Sequence, residues 1–281
     1  MKRYKKEQDG VLEAGLIMYT KHFKLEVDRA LCKGCQICCL ACPKQAIARV
    51  PQADVDGKAV APLMDVEEAK CDFCGICALA CPFSAIKTSI NGNEEPPALA
   101  YEVFPELLRD ITVDNSKCKP DCKDCEEICA LGVLSVNTAL GEVAVKKELC
   151  AGCTACWQAC PEEAITVAKF IEGSIDIDTS KCPEGCKRCA DVCPVNAIEV
   201  EDGEVFASDY TCIYCGACQE VCPEEGALEI ERTAIRHTPV ESGAWNKGLE
   251  KLTSAEGLQR EMAAAAAAKA RAAVTETEGD A

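Results

Sequence analysis

The chain has 281 residues, of which 25 are cysteine and only 5% are aromatic, and its formal net charge is −17. So few large side chains cannot build one ordinary core over this length, which leaves disulfides or metal clusters to tie the chain together. The acidic balance disfavours nucleic acid, whose phosphates need a basic surface, and no stretch approaches the roughly 18 apolar residues of a membrane span.

Disulfides fit poorly. The cysteine count is odd. The basic start, Met1 to Lys6, leads into no long apolar run or cleavage site, so no secretory leader is expected. The thiols are also spaced too tightly and regularly for long-loop closure. A reducing, anoxic cytoplasm is the expected setting.

Residues 1–24 read as an N-terminal arm, with a short apolar patch at Val11, Leu12, Leu16, Ile17 and Met18. Phe23, Leu25 and Val27 then alternate with Lys24, Glu26 and Asp28, a strand pattern. His22 is expected to be a surface or packing residue. The first cysteine run is Cys32, Cys35, Cys38 and Cys42, followed by Pro43. Cys39 is left over by that spacing and is expected to act as a small buried hydrophobe. Ala46-Ile47 and a hairpin region punctuated by Pro and Gly, from Pro51 to Pro62, lead to the second run.

The second run is Cys71, Cys74, Cys77 and Cys81, with Pro82. Ala85 to Ile90 reads as a strand and Asn91-Gly92 as a turn. The longest gap follows, from Asn91 to Lys117. It is broken by Pro96-Pro97 and Pro105 but apolar at Tyr101, Val103, Phe104, Leu107 and Leu108, and reads as a covering segment or a docking site for another subunit.

The third run is Cys118, Cys122, Cys125 and Cys129. Its first gap has three residues and Ala130 replaces the proline, which makes it the least secure site. The fourth is Cys150, Cys153, Cys156 and Cys160 with Pro161. The fifth is Cys182, Cys186, Cys189 and Cys193 with Pro194, again with a three-residue first gap, and the sixth is Cys212, Cys215, Cys218 and Cys222 with Pro223. Strand-like segments precede the later runs (Ile111–Asp114, Glu142–Val145, Ser174–Asp178, Glu204–Phe206), and a small apolar pair follows most of them (Ala164-Ile165, Ala197-Ile198, Ala227-Leu228). The tail from about Pro239 favours an exposed helix around Ala263 to Arg271 and ends in an acidic stretch, Thr275 to Ala281.

The recurring spacing is C-x2-C-x2-C-x3-C-P, in which three close thiolates grip one face of a [4Fe–4S] cluster and the fourth serves the neighbouring cluster. A single run therefore completes no cluster, and runs must pair. Taken in order, Cys32, Cys35 and Cys38 join Cys81, while Cys71, Cys74 and Cys77 join Cys42. Cys118, Cys122 and Cys125 join Cys160, while Cys150, Cys153 and Cys156 join Cys129. Cys182, Cys186 and Cys189 join Cys222, while Cys212, Cys215 and Cys218 join Cys193. Interleaved pairing is left open by the sequence. The expected fold is α+β: three tandem two-cluster ferredoxin domains of bacterial 2[4Fe–4S] type, each a pseudo-twofold repeat, over 25–100, 101–172 and 173–236, with a helical and acidic tail over 237–281.

Six [4Fe–4S] clusters account for 24 of the 25 cysteines. Each cubane with its four thiolates carries about −2, so six add about −12. Structural zinc also takes four thiolates, but two C-x2-C pairs suffice for it, and the third close cysteine and the x3-C-P ending go unexplained. The two histidines, His22 and His237, lie away from every run, no phosphate loop is present, and no iron has an obvious open position. The reading is therefore a non-catalytic electron conductor. Phe73, Phe83, Trp157, Tyr210 and Tyr214 flank the runs and are expected to pack against the clusters and exclude water.

Cys71 to Ile86, leading into Ser89-Ile90-Asn91-Gly92, and the run from Cys182 to Cys189 resemble the polyferredoxins of methanogenic archaea, in particular the F subunits of formylmethanofuran dehydrogenases. The resemblance covers roughly residues 25–235 and departs from the family's described form, which carries more clusters. It implies a subunit relaying low-potential electrons to a tungsten- or molybdenum-pterin partner that reduces CO2. The implied partners are the other subunits of that complex, with heterodisulfide reductase, hydrogenase or formate dehydrogenase as donor. A polyferredoxin of an energy-converting hydrogenase is the alternative.

Overall fold

The structure is a computed structural model that describes residues 1–201, 203–240, 244–257 and 259. The first two strands, β1 (Lys2–Gln8) and β2 (Val11–Ile17), form a hairpin. Its turn is Asp9-Gly10, both with positive φ (52° and 76°), the geometry that Asp-Gly supplies at lowest steric cost. β3 (His22–Asp28) pairs antiparallel with β2 on one side and with β6 (Ile86–Ile90) on the other, giving a four-stranded sheet in the order β1-β2-β3-β6. Residues 2–17 are thus not an arm. Leu12, Ala14 and Leu16 are buried, and the hairpin widens the sheet of the first module.

Between β3 and β6 lie α1 (Ile37–Ala41), the hairpin strands β4 (Ile47–Val50) and β5 (Leu63–Val66), and α2 (Ile76–Ala80). The fully buried side chains Leu25 and Val27 of β3 and Met64 and Val66 of β5 face inward. Each contributes on the order of 1.5–3 kcal/mol by leaving water. The helices are single turns, too short to stand alone. They stop because the fourth cysteine is extended ahead of a proline: ψ is 115° at both Cys42 and Cys81.

The same plan repeats twice. In the second module, β7 (Asp110–Val113) pairs with β10 (Ile165–Ala168) around α4 (Asp124–Glu127), the hairpin β8 (Leu134–Asn137) and β9 (Glu142–Val145), and α5 (Ala155–Ala159). In the third, β11 (Ile171–Ile177) pairs with β14 (Leu228–Ile235) around α6 (Arg188–Asp191), β12 (Ile198–Glu201), β13 (Glu204–Ala207) and α7 (Ala217–Val221). The strand before the first run of each pair thus hydrogen-bonds the strand after the second. This closure, with α1 on α2, α4 on α5 and α6 on α7, joins runs one with two, three with four, and five with six.

The long gap is a cover. α3 (Pro97–Ala100) lies on the second run, with the Ala98 amide donating to the Cys74 carbonyl at 2.9 Å and Ala98 and Phe104 buried. Gly75 makes this approach possible, since a Cβ there would lie 2.5 Å from Pro96. α8 (Ala244–Thr253) docks beside α1 and buries Trp245, which meets Phe104 edge-on at 4.3 Å and donates to His237 Nε2 at 3.1 Å. The helix expected around 263–271 lies outside the described residues.

The modules are not strung end to end. Thr154 donates to the Tyr210 carbonyl at 2.8 Å across the second and third modules, and the Ala59 amide donates to Asp191 at 3.0 Å across the first and third. Arg49 pairs with Glu220 across the same faces, and Arg109 bridges the first and second modules. Each module touches the other two.

Candidate metal centres

Three of the six expected thiol quartets line distinct cavities. Cys118, Cys122 and Cys125 share one with Cys160. Cys182, Cys186 and Cys189 share one with Cys222. Cys150, Cys153 and Cys156 share one with Cys129. Apolar side chains complete the walls, among them Val136, Val143 and Ile165 in the first. The other quartets are close enough that their thiols act on one another electrostatically: Cys81 with Cys32 and Cys35, Cys42 with Cys71, Cys74 and Cys77, and Cys193 with Cys212, Cys215 and Cys218. In five of these groups three thiols of one run meet the fourth cysteine of the run paired with it; in the remaining one Cys32 and Cys35 meet Cys81, while Cys38 is acted on by Cys39, Cys35 and Cys77.

A turn aims an amide at the fourth sulfur. The donors are Ala46 N to Cys42 Sγ (3.3 Å), Val133 N to Cys129 Sγ (3.4 Å), Ala164 N to Cys160 Sγ (3.3 Å) and Ala197 N to Cys193 Sγ (3.1 Å). Ala85 supplies the corresponding amide to Cys81. The residue before each donor has positive φ: Gln45, Ser84, Gly132, Glu163 and Asn196. Alanine at four of the five donor positions keeps this turn compact, which gives the recurring Ala-Ile pair a reason, and Val133 is the exception. Ala130 leaves the third run's turn intact. The run that departs is the sixth, where an extra residue separates Cys222 from Ala227 and the Cys222 thiol faces the Glu224 carbonyl at 3.4 Å.

A cation and an aromatic ring flank the first cysteine of every second run. Arg3 donates to the Cys71 carbonyl at 2.9 Å and stands over Phe73, 5.9 Å from the ring centre. Arg109 donates to the Cys150 carbonyl and stands 5.2 Å from Phe170. Lys169 donates to the Cys212 carbonyl at 2.8 Å and stands 4.9 Å from Tyr214. Phe73 and Tyr214 occupy the residue before the second cysteine, with φ of 55° and 51°. The fourth run has Gly152 there, and Phe170 fills the space from the bend between β10 and β11, its ring 3.2 Å from where a Cβ would sit. Phe73, Phe83 and Tyr214 are buried as expected, but Trp157 is 46% and Tyr210 73% exposed, so these two do not seal a site. Cys39 is half-buried on α1, its thiol 3.6 Å from the Met64 sulfur.

Burial raises several of these thiols. It pushes Cys71 and Cys189 up to about 11 and Cys156 and Cys215 up to about 12, and Cys35 and Cys77 well above the ordinary value. Thiols raised in this way, with amides directed at sulfur, fit a cationic core that neutralises the thiolates as they form. Among the described residues, no group of three or more His, Cys, Asp or Glu side chains is arranged to hold a single metal ion. Four thiols lining one cavity, as at three of the sites, are the donor set of a [4Fe–4S] cubane.

A model of the 4Fe-4S dicluster domain matches residues 31–85 and 149–197, and a second matches 174–223. The stretch 149–197 joins runs four and five, which the strand closure places in different modules, so the motif alone does not fix the partner run. An uncharacterized ferredoxin of Methanocaldococcus jannaschii is 40% identical over 60 residues, 21% of this chain and 95% of that protein. A chain of the formate dehydrogenase–heterodisulfide reductase–formylmethanofuran dehydrogenase complex from Methanospirillum hungatei superposes with a TM-score of 0.80 at 30% identity, covering 90% of this chain and 91% of that one. The chain belongs to the [4Fe–4S] ferredoxins.

Within them it is an iron–sulfur electron-transfer protein of polyferredoxin type. The polyferredoxin protein MvhB of Methanothermobacter marburgensis is 29% identical over 109 residues, 35% of this chain but a quarter of MvhB's own length. Formate hydrogenlyase subunit 2 of Escherichia coli is 33% identical over 91 residues, 29% of this chain and 44% of that subunit. No helix among the described residues is long and apolar enough to cross a membrane.

Proposed function

We infer that the chain is the electron-carrying polyferredoxin of a formylmethanofuran dehydrogenase assembly in the cytoplasm, relaying low-potential electrons to a partner that reduces CO2. The likeness over 90% of the chain to a component of such an assembly carries this reading. Six [4Fe–4S] clusters are held by the six crossed quartets, two in each module over 25–100, 101–172 and 173–236, and Cys39 is a packing residue. When bound, a cubane supplies a one-electron couple. The chain's own residues present four thiolates, donate amides to sulfur and exclude water with Phe73, Phe83, Phe170 and Tyr214. They perform no bond chemistry. His22 is engaged by Tyr4 at 2.7 Å and His237 by Trp245 at 3.1 Å, so neither serves as an acid or base beside a quartet.

Anaerobic analysis of the purified chain should return four irons and four acid-labile sulfides per quartet. Zinc without sulfide would overturn the reading in favour of a structural zinc repeat. Copurification from the native host should recover a pterin-containing dehydrogenase. Recovery of a hydrogenase instead would favour the second reading, a polyferredoxin of a hydrogenase complex, to which the likeness to formate hydrogenlyase subunit 2 points.

A further inference from the structure

Cysteines of three quartets, one from each module, lie at the contacts between modules, and a basic side chain stands at each of the three junctions. Arg109 reaches from the segment before β7 into the first module, where it donates to the carbonyls of Cys81 and Pro82, both at 2.8 Å, while also donating to the carbonyl of Cys150 in the second. Lys169, ahead of β11, donates to the carbonyls of Asp209 and Cys212 in the third module, and Cys153 of the second lies within its field. Arg232 of β14 is 6% exposed and donates to the carbonyls of Tyr214 (2.7 Å) and Cys215 (3.0 Å). The first module adjoins it there. A Cβ on Gly216 would lie 2.9 Å from Gln36 and 3.0 Å from the Arg232 guanidinium, and Cys35 acts on the Arg232 charge as Cys215 does.

The pattern is cyclic. The quartet Cys32, Cys35, Cys38, Cys81 is flanked by Arg109 and Arg232. The quartet Cys150, Cys153, Cys156, Cys129 is flanked by Arg109 and Lys169. The quartet Cys212, Cys215, Cys218, Cys193 is flanked by Lys169 and Arg232. Burial disfavours the extra negative charge that reduction brings to a site, and a fixed cation favours it. With two cations apiece, the inward sites are offset against the burial that surrounds them.

We propose that Arg109, Lys169 and Arg232 are shared redox-tuning residues, each raising the reduction potential of two inward sites in different modules and so keeping the meeting point of the three modules accessible to electrons. This rests on the reading of the quartets as [4Fe–4S] sites. The test is an anaerobic redox titration of the full chain followed by EPR, with iron and sulfide counted first. A shortfall of iron and sulfide in the unaltered chain would overturn the functional reading, whereas the pattern of shifts tests the inference. Arg109→Gln, Lys169→Gln and Arg232→Gln should each lower two midpoints, with about a tenfold loss in the equilibrium for reduction, about 59 mV for a one-electron couple, and leave the other four in place.

The double variant R109Q/K169Q should move three centres, one of them by twice the single step. Arg109→Lys should restore both midpoints. Lys87→Gln removes an exposed ion pair with Glu94 on the first module, away from the three junctions, and should move none. Shifts in all six centres, in one centre only, or equally in K87Q would overturn the proposal. If a glutamine variant loses iron, Arg109→Lys and Lys169→Arg with full iron content carry the test: midpoints near the unaltered values uphold it, and midpoints that fall despite the retained charge overturn it.

Discussion

Phe170 fills the place that Phe73 and Tyr214 fill from within their own runs, and this exchange of source is open to a direct test. Phe170 is 1% exposed, so Phe170→Ala should cost about 3–5 kcal/mol from lost burial and the cavity left behind, with a further ~1 kcal/mol from the lost contact with the Arg109 cation. Gly152→Phe alone should also destabilise, because its Cβ would meet the Phe170 ring at 3.2 Å and the Ala168 carbonyl at 3.4 Å. Combined, the two changes rebuild the arrangement of the second and sixth runs. The remaining cost is the left-handed backbone, about 1–2 kcal/mol for a residue with a Cβ, which Phe73 and Tyr214 already bear at φ of 55° and 51°. The double-mutant coupling should therefore reach at least about 2 kcal/mol. The assay is the anaerobic rate of loss of visible cluster absorbance at fixed guanidinium, since cluster loss makes unfolding irreversible. F170A should lose its colour about a hundredfold faster than the unaltered chain, and G152F/F170A at least tenfold more slowly than F170A. A double variant as labile as F170A would refute the idea that the two positions serve one place.

Crossed ligation predicts that Cys42→Ala cripples the site of Cys71, Cys74 and Cys77 while sparing that of Cys32, Cys35 and Cys38; EPR and iron counts on C42A and C71A should therefore show the same centre lost. Cys39→Ala should keep the full iron content and cost only about 1 kcal/mol, as its thiol contacts the Met64 sulfur; loss of a whole cluster would overturn its role as a packing residue. The raised thiols fix the sign of the pH dependence. A thiol held near 12 in the empty protein, such as Cys215, is protonated at neutral pH and must release that proton to bind iron. Cluster assembly should release protons, and falling pH should speed chelator-driven iron loss; a rate independent of pH would contradict the shifts.

Much of this architecture is legible in the cysteine spacing, because a tight turn around a cluster tolerates few alternatives. The strand before Cys32 and the strand after Cys81 also show as alternating patterns. The N-terminal hairpin was readable too: Asp9-Gly10 is a strong turn signal between Lys2–Gln8 and Val11–Ile17, obscured by the lysines facing solvent along β1. The triangular contact of the modules was not. Arg109 and Lys169 are single basic residues just ahead of β7 and β11, and nothing in a lone charge tells which carbonyl it will meet. The aromatic residues beside the runs misled in part. Trp157 lies on a helix face turned to solvent while the unremarkable Phe170, outside any run, seals a site. Amide-to-sulfur geometry depends on the count of residues rather than on the proline, so Ala130 leaves its turn intact while the insertion after Cys222 does not.

The pairing of β7 with β10, and of β11 with β14, sets an order of manufacture. On the ribosome, the strand before an odd-numbered run waits unpaired until the strand after the next run has emerged. During that interval a nascent module exposes a sheet edge and three thiols whose fourth partner has not been made, a state open to oxidation and to aggregation. Under the crossed ligation proposed above, each module is a unit of maturation: iron and sulfide delivered too early meet half a binding site, and a chain truncated between paired runs leaves two unfinished sites rather than one finished and one absent.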